Sequence, residues 1–220
     1  HVDILGIPLQ IFMLTEIVLQ NNDKYLKLFG DSWLLTDLYH YFIEEKFNIF
    51  YRNKLCLNIQ DYYSRRVFKS DKEKILTHYE KLAVDLIFSD CEDIKCQEGT
   101  DSTHEYETIG IITGLQNNTP VFVHASFAEY LTAAYFSKNF EVIPGDRFFD
   151  RKYNNVRFFF DMLLAKNSPV HIAVLYRNFA ALKSYDDKIL TRKDVGGRNA
   201  LHLICSWGQR HSRLTVRSSK

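Results

Sequence analysis

The feature that most constrains the fold is a change of period inside Val121–Phe136, Val-Phe-Val-His-Ala-Ser-Phe-Ala-Glu-Tyr-Leu-Thr-Ala-Ala-Tyr-Phe. Up to His124 the residues alternate as in a strand. Beyond it Phe127, Tyr130, Leu131, Ala134 and Tyr135 recur at steps of three and four, the stripe of an amphipathic helix. His124 is therefore expected where a strand becomes a helix, with Ser126 near the helix start as a candidate cap. Such a junction can aim a side chain and free backbone N–H groups at an anion.

The chain before the junction reads as helices. Gly6-Ile7-Pro8 is a turn leading into a helix, since proline tolerates the first helical position. Leu9, Phe12, Met13, Glu16 and Ile17 continue at helical spacing until Asn21-Asn22-Asp23 stops them. Ser32 caps the longest periodic run, in which Leu35, Leu38, Tyr39, Phe42, Ile43, Phe47 and Phe50 form an apolar stripe opposite Glu44, Glu45 and Lys46. Asp71 is expected to cap a further helix running to about Phe88, with Ile75, Tyr79, Leu82, Leu86 and Ile87 buried. Residues 1–88 thus form a helical domain.

Residues 89–108 are acidic, with Asp90, Glu92, Asp93, Glu98, Asp101, Glu105 and Glu107 against a single Lys95. They read as a solvated loop. Cys91, Cys96 and His104 supply only three candidate metal ligands with no second cysteine pair, so two free thiols are expected and no metal. Ile109–Leu115 and Pro120–His124 flank Gln116-Asn117-Asn118-Thr119 as a hairpin. With the helix that follows, residues 109–145 suggest a winged-helix-like unit. DNA binding would need a basic recognition helix, and this one carries Glu129 and no arginine, so DNA is not an expected partner.

Composition excludes several other classes. Hydrophobic residues make up 46% of the 220, with only four prolines and nine glycines, which is globular rather than disordered. A formal net charge of +1 advertises neither nucleic acid nor an anionic membrane. Four scattered cysteines make no disulfide scaffold and fit a reducing compartment. No apolar run is long enough to span a membrane. The chain starts with His1 and enters a helical pattern almost at once, so it reads as a piece of a longer protein and the lack of a targeting signal carries no information.

Ser168-Pro169-Val170-His171-Ile172-Ala173 is matched 31 positions later by Asn199-Ala200-Leu201-His202-Leu203-Ile204, with Val195-Gly196-Gly197-Arg198 as the turn before the second copy. This resembles the ankyrin repeat, whose Thr-Pro-Leu-His-x-Ala signature recurs about every 33 residues. The resemblance makes Pro169, His171, Gly197, Leu201 and His202 scaffold residues, the histidines hydrogen-bonding within the turn and organising the first helix. It covers about 168–208, and residues 150–208 read as partial, degenerate repeats with Phe158, Phe159, Met162, Leu163 and Leu164 in a preceding helix. Residues 209–220 are a polar, basic tail, expected to add no second helix.

Phe122-Val123-His124-Ala125-Ser126-Phe127-Ala128-Glu129-Tyr130-Leu131-Thr132-Ala133 resembles the Phe-x-His-x-Ser-Phe-x-Glu-Tyr-x-Ala-Ala signature of NACHT-type signal-transduction ATPases. Gly6-Ile7-Pro8-Leu9 is similar to the Gly/Asn-x-Pro-Leu motif of their helical domain, and the order of helical domain, winged helix and repeats also fits. The resemblance implies that Pro8 packs on the base of a bound nucleotide and that His124 contacts the β-phosphate of ADP. The residues themselves leave a core histidine at a strand end as the alternative for His124.

None of the nine glycines begins a Gly-x-x-x-x-Gly-Lys-Ser/Thr loop, so no machinery for phosphoryl transfer is expected and the chain is not read as an enzyme. No cofactor is expected in this segment, although ADP or ATP can belong to a longer parent. The fold class is mainly α: a helical bundle, a winged-helix-like unit with a small β-hairpin, then a partial ankyrin-repeat array. The implied function is a regulatory, protein-binding segment of a cytoplasmic NACHT–ankyrin signalling protein that self-oligomerises in full-length form. The other reading is an ankyrin adaptor with a helical domain and no nucleotide dependence.

Overall fold

The structure is a computed structural model that describes residues 8–20, 33–55, 62–91, 94, 109–117 and 119–215; the side chains of 20, 54, 62, 63, 65 and 208–215 are not described. Gly6-Ile7, Asn21-Asn22-Asp23, Ser32, Cys96, His104, Asn118 and most of the acidic stretch 89–108 lie outside the described residues, as do residues 216–220. Among the described residues the protein is mainly α-helical, with one two-stranded antiparallel sheet. Among the described residues no helix is long and apolar enough to cross a membrane. The chain divides into two compact units, one ending at Phe160 and one beginning at Asp161.

In the first unit, α1 (Pro8–Gln20) starts on its proline and buries Met13 and Ile17. It packs on α2 (Leu35–Ile49), whose start is held by the Asp37 carboxylate accepting the Leu34 N–H at 3.2 Å. The apolar stripe of α2 is buried at Leu38, Tyr39, Phe42, Ile43 and Phe47. Phe50–Lys54 continues as one wider turn, closed by the Leu55 N–H on the Phe50 carbonyl. The next helix, α3, runs from Tyr62 to Ile87. It begins nine residues before Asp71, so Asp71 is a mid-helix residue and not a cap. No glycine or proline interrupts Tyr62–Ser70, and the Asp71 carboxylate accepts the Tyr51 hydroxyl instead.

The hairpin pairs β1 (Ile112–Gln116) with β2 (Thr119–Phe122), from Ile112 opposite Phe122 to Gln116 opposite Thr119, with a bulge between Ile112 and Gly114. Asn117 takes a left-handed conformation (φ 51°), which asparagine tolerates better than most residues and which a tight hairpin turn requires. Two residues separate β2 from α4 (Ala125–Lys138), which packs along α3. Single helical turns at Phe140–Val142, Gly145–Phe149 and Arg151–Tyr153 then lead into α5 (Asn154–Ala165).

The core of this unit is aromatic. Tyr39 contacts Phe127, Tyr130 and Phe159 at centroid distances of 5.1, 5.3 and 5.0 Å. A second cluster joins Phe88, Phe136, Phe148 and Phe160, with Tyr153 stacked on Phe88 at 4.1 Å. Each such pair adds roughly 0.5–1.5 kcal/mol beyond the area it buries. Together they hold α2, α4 and the start of α5 in one register, which places the junction at His124.

The second unit begins in the last turn of α5 and adds α6 (Pro169–Leu175), α7 (Phe179–Ser184), α8 (Asp187–Leu190) and α9 (Ala200–Thr215). Pro169 opens α6 at a position that needs no N–H. Before α9, Lys193 bridges Asn199 around a tight turn in which Gly197 has φ 76°. α9 does not stop at Gly208. The expected tail from Gln209 instead extends the helix to Thr215, because one glycine costs a helix only about 1 kcal/mol and the residues after it are ordinary helix formers.

Candidate functional site

His124 stands at the junction the sequence marked. It is itself the cap of α4: its backbone is extended, and its Nδ1 accepts the Ser126 N–H at 3.2 Å. Ser126 is already inside the helix and is not the cap. Its hydroxyl lies 2.7 Å from the same Nδ1 and accepts the Tyr39 hydroxyl at 2.7 Å. An N–H cannot accept, so Nδ1 must present a lone pair, and the proton of the neutral ring sits on Nε2. His124 is exposed, and among the described residues no group accepts from Nε2. The junction therefore offers one imidazole N–H at the positive end of a helix, a setting suited to an anion.

Glu129 follows one turn along α4. Burial raises its carboxyl above the usual range, partly offset by a hydrogen bond from Asn155 Nδ2 at 2.9 Å and by His124. Burial likewise raises the Tyr39 phenol, which the Ser126 hydrogen bond partly offsets. Pro8 is exposed at the first turn of α1, and the described side-chain hydrogen bonds of His124 run to Ser126. Among the described residues no group of three or more His, Cys, Asp or Glu side chains converges as a metal site, and Cys91 is a buried free thiol.

In the second unit the two repeat histidines differ. His171 is fully buried; Ser168 Oγ lies 2.6 Å from its Nδ1, and its Nε2 lies 2.8 Å from the Arg198 carbonyl. A carbonyl only accepts, so Nε2 carries the proton and Nδ1 accepts from Ser168. His202 is exposed, its backbone N–H accepted by Asn199 Oδ1 at 3.1 Å in a cap of α9. Leu201 projects from the same helix and is 64% exposed. Gly197 supplies the left-handed turn, and a Cβ on Gly196 would come within 3.0 Å of Leu164 Cδ1.

Sequence reasoning missed the charged centre of this unit. Arg198 donates through its backbone N–H, Nε and Nη2 to Asp194 at 2.8–2.9 Å, and through Nη1 to Asp161 at 2.5 Å. Asp161 also accepts the Trp207 indole N–H at 2.8 Å. Burial alone would lower the Arg198 guanidinium, but Asp161 and Asp194 outweigh it and the net shift is upward. Three charged residues and one indole thus close a satisfied network. The only sequence signal was an arginine directly after a Gly-Gly turn. In the first unit Tyr39 was placed on a buried stripe, and its hydroxyl partner could not be read. The chain matches no known family model, no curated protein and no solved structure.

Proposed function

We propose that this chain is the regulatory and protein-interaction segment of a cytoplasmic NACHT–ankyrin signalling protein, coupling nucleotide state to a repeat surface without catalysis of its own. The observation that carries the reading is the arrangement of His124, whose Nδ1 is used in capping α4 while its Nε2–H is left as a donor at a helix start. A phosphate oxygen is the natural acceptor for that donor, and the positive end of the α4 dipole favours its charge. In this reading Pro8 packs on the nucleotide base, the phosphate-binding loop lies on another part of the parent protein, and that parent self-oligomerises. The protein partner binds the repeat surface around Leu201 and Val195, which are exposed apolar residues of the second unit.

The test is the nucleotide retained by the parent protein after gentle purification, with and without His124→Gln. Glutamine keeps a hydrogen-bonding side chain but cannot both cap and donate in the imidazole geometry. Loss of bound ADP from the variant supports the reading, and equal retention leaves His124 as a helix cap only. A second reading, an ankyrin adaptor with no nucleotide, is favoured by the clamp of His171 on the Arg198 carbonyl, which orders the repeat-like unit from its own side chains. A parent protein that carries no nucleotide in either form selects this second reading.

A further inference from the structure

The three groups Tyr39, Ser126 and His124 come from two helices far apart in sequence, and their hydrogen bonds run in one direction. Tyr39 is 3% exposed, lies on α2, and its hydroxyl donates to Ser126 Oγ across 87 residues of chain. Once that oxygen accepts from Tyr39, its own proton is free to go to the acceptor 2.7 Å away, His124 Nδ1. The same Nδ1 accepts the Ser126 backbone N–H, which rules out a proton there in the neutral ring. The tyrosine ring is fixed in turn by Phe127, Tyr130 and Phe159, so the hydroxyl has little freedom to turn away.

We propose that Tyr39 and Ser126 form a positioning relay that locks His124 in its Nε2–H tautomer, so that the exposed side of the ring is a permanent hydrogen-bond donor. The purpose of the relay rests on the phosphate-contact reading of His124, while its existence does not. A neutral histidine without such partners exchanges between two tautomers, one of which would present a lone pair to an oxyanion and repel it. The relay removes that state. Tyr39 and Ser126 are positioning residues: neither need touch a ligand.

The test is the ¹⁵N spectrum of the His124 ring in the 220-residue chain with no nucleotide added, at about pH 8, above the ordinary imidazole range. The wild-type ring is expected as a single tautomer, protonated on Nε2. Ser126→Ala removes one hydrogen bond to Nδ1 and is expected to shift the tautomer ratio roughly fivefold toward Nδ1–H. Ser126→Thr, which keeps the hydroxyl, restores it. Tyr39→Phe keeps the packed ring and gives a smaller shift in the same direction. Unchanged tautomer populations in both Ser126→Ala and Tyr39→Phe overturn the relay. The two readings fail separately. A tautomer shift with unaltered ADP retention in His124→Gln removes the phosphate contact and leaves the relay; lost retention with no tautomer shift does the reverse.

Discussion

His171 donates its Nε2–H to the backbone carbonyl of Arg198, 2.8 Å away and 27 residues on in the chain. The bond joins the start of α6 to the turn before α9, and its histidine is fully buried. His202, at the matching position of the second copy, is exposed and bonds only locally to Asn199. One repeat position has therefore taken on a long-range structural task and its counterpart has not.

That contrast predicts unequal costs. His171→Ala removes one of the two donors to the Arg198 carbonyl, takes the acceptor from the Ser168 hydroxyl and opens a cavity, an expected loss of about 2–4 kcal/mol. His202→Ala should cost less than about 1 kcal/mol, the scale of an exposed local hydrogen bond. Hydrogen exchange of the α6 amides measures both. Equal effects from the two variants would show that the long-range bond contributes little.

Arg198 is the second test of the same unit. Asp161 and Asp194 are both buried, and each relies on the guanidinium for compensation. Arg198→Met should destabilise the unit by about 3–5 kcal/mol, because it takes the guanidinium away from two buried carboxylates. Arg198→Lys keeps the charge but cannot reach both carboxylates with a planar fork, so a loss between wild type and Arg198→Met is expected. Urea unfolding followed by Trp207 fluorescence reports it, since the indole donates to Asp161. If lysine proves as stable as arginine, fork geometry is not what holds the cluster.

Asp90 offers a prediction in acid. Hydrogen bonds from Lys152 at 2.5 Å and Tyr153 at 3.0 Å hold its carboxyl at about 2, below the ordinary value. A depressed carboxylate favours the folded state above its unfolded pKa, and that contribution is lost as pH falls through the folded one. The window is therefore from about 4 down to about 2. Carboxyl ¹³C shifts followed over that range should show Asp90 titrating last among exposed aspartates, and Lys152→Met should return it to the ordinary range. An unchanged midpoint in Lys152→Met would assign the depression elsewhere.

How far these features could be read in advance depended on whether they were local. The period of Leu35–Phe50 marks which face of α2 is buried, and the switch at His124 marks where the strand ends, because both arise from neighbours in sequence. The partner of the Tyr39 hydroxyl is 87 residues away, and no periodicity carries that information. In the sequence Arg198 stands only as the end of a Gly-Gly turn, and only the fold brings Asp161 to it from 37 residues away. Asp71 was misplaced for another reason. Aspartate favours caps in general, but a helix that already runs from Tyr62 simply passes through it. Ser126 was favoured as cap over His124 by residue type alone, whereas the extended backbone of His124 decided the matter.

Glu80 tests whether a buried ion pair strengthens the first unit. It is 2% exposed on α3 and paired with Lys138 Nζ at 2.5 Å, while the lysine itself is more than half exposed. Burial raises the carboxyl above its ordinary value, and Lys138 only partly offsets this. A raised carboxyl means that the folded state holds its proton more tightly than the unfolded state. The contribution of Glu80 is therefore most favourable below about 4.5 and is lost as pH rises through the folded pKa. At neutral pH the ionised side chain opposes folding, and the surface end of the pair returns no more than about 1 kcal/mol. Glu80→Gln should thus match or exceed wild-type stability at pH 7 and flatten the decline that sets in as pH rises above the ordinary carboxylate value, as read by urea midpoints at several pH values. A loss greater than about 1 kcal/mol at pH 7 would mean that the Lys138 contact outweighs the cost of burying the charge.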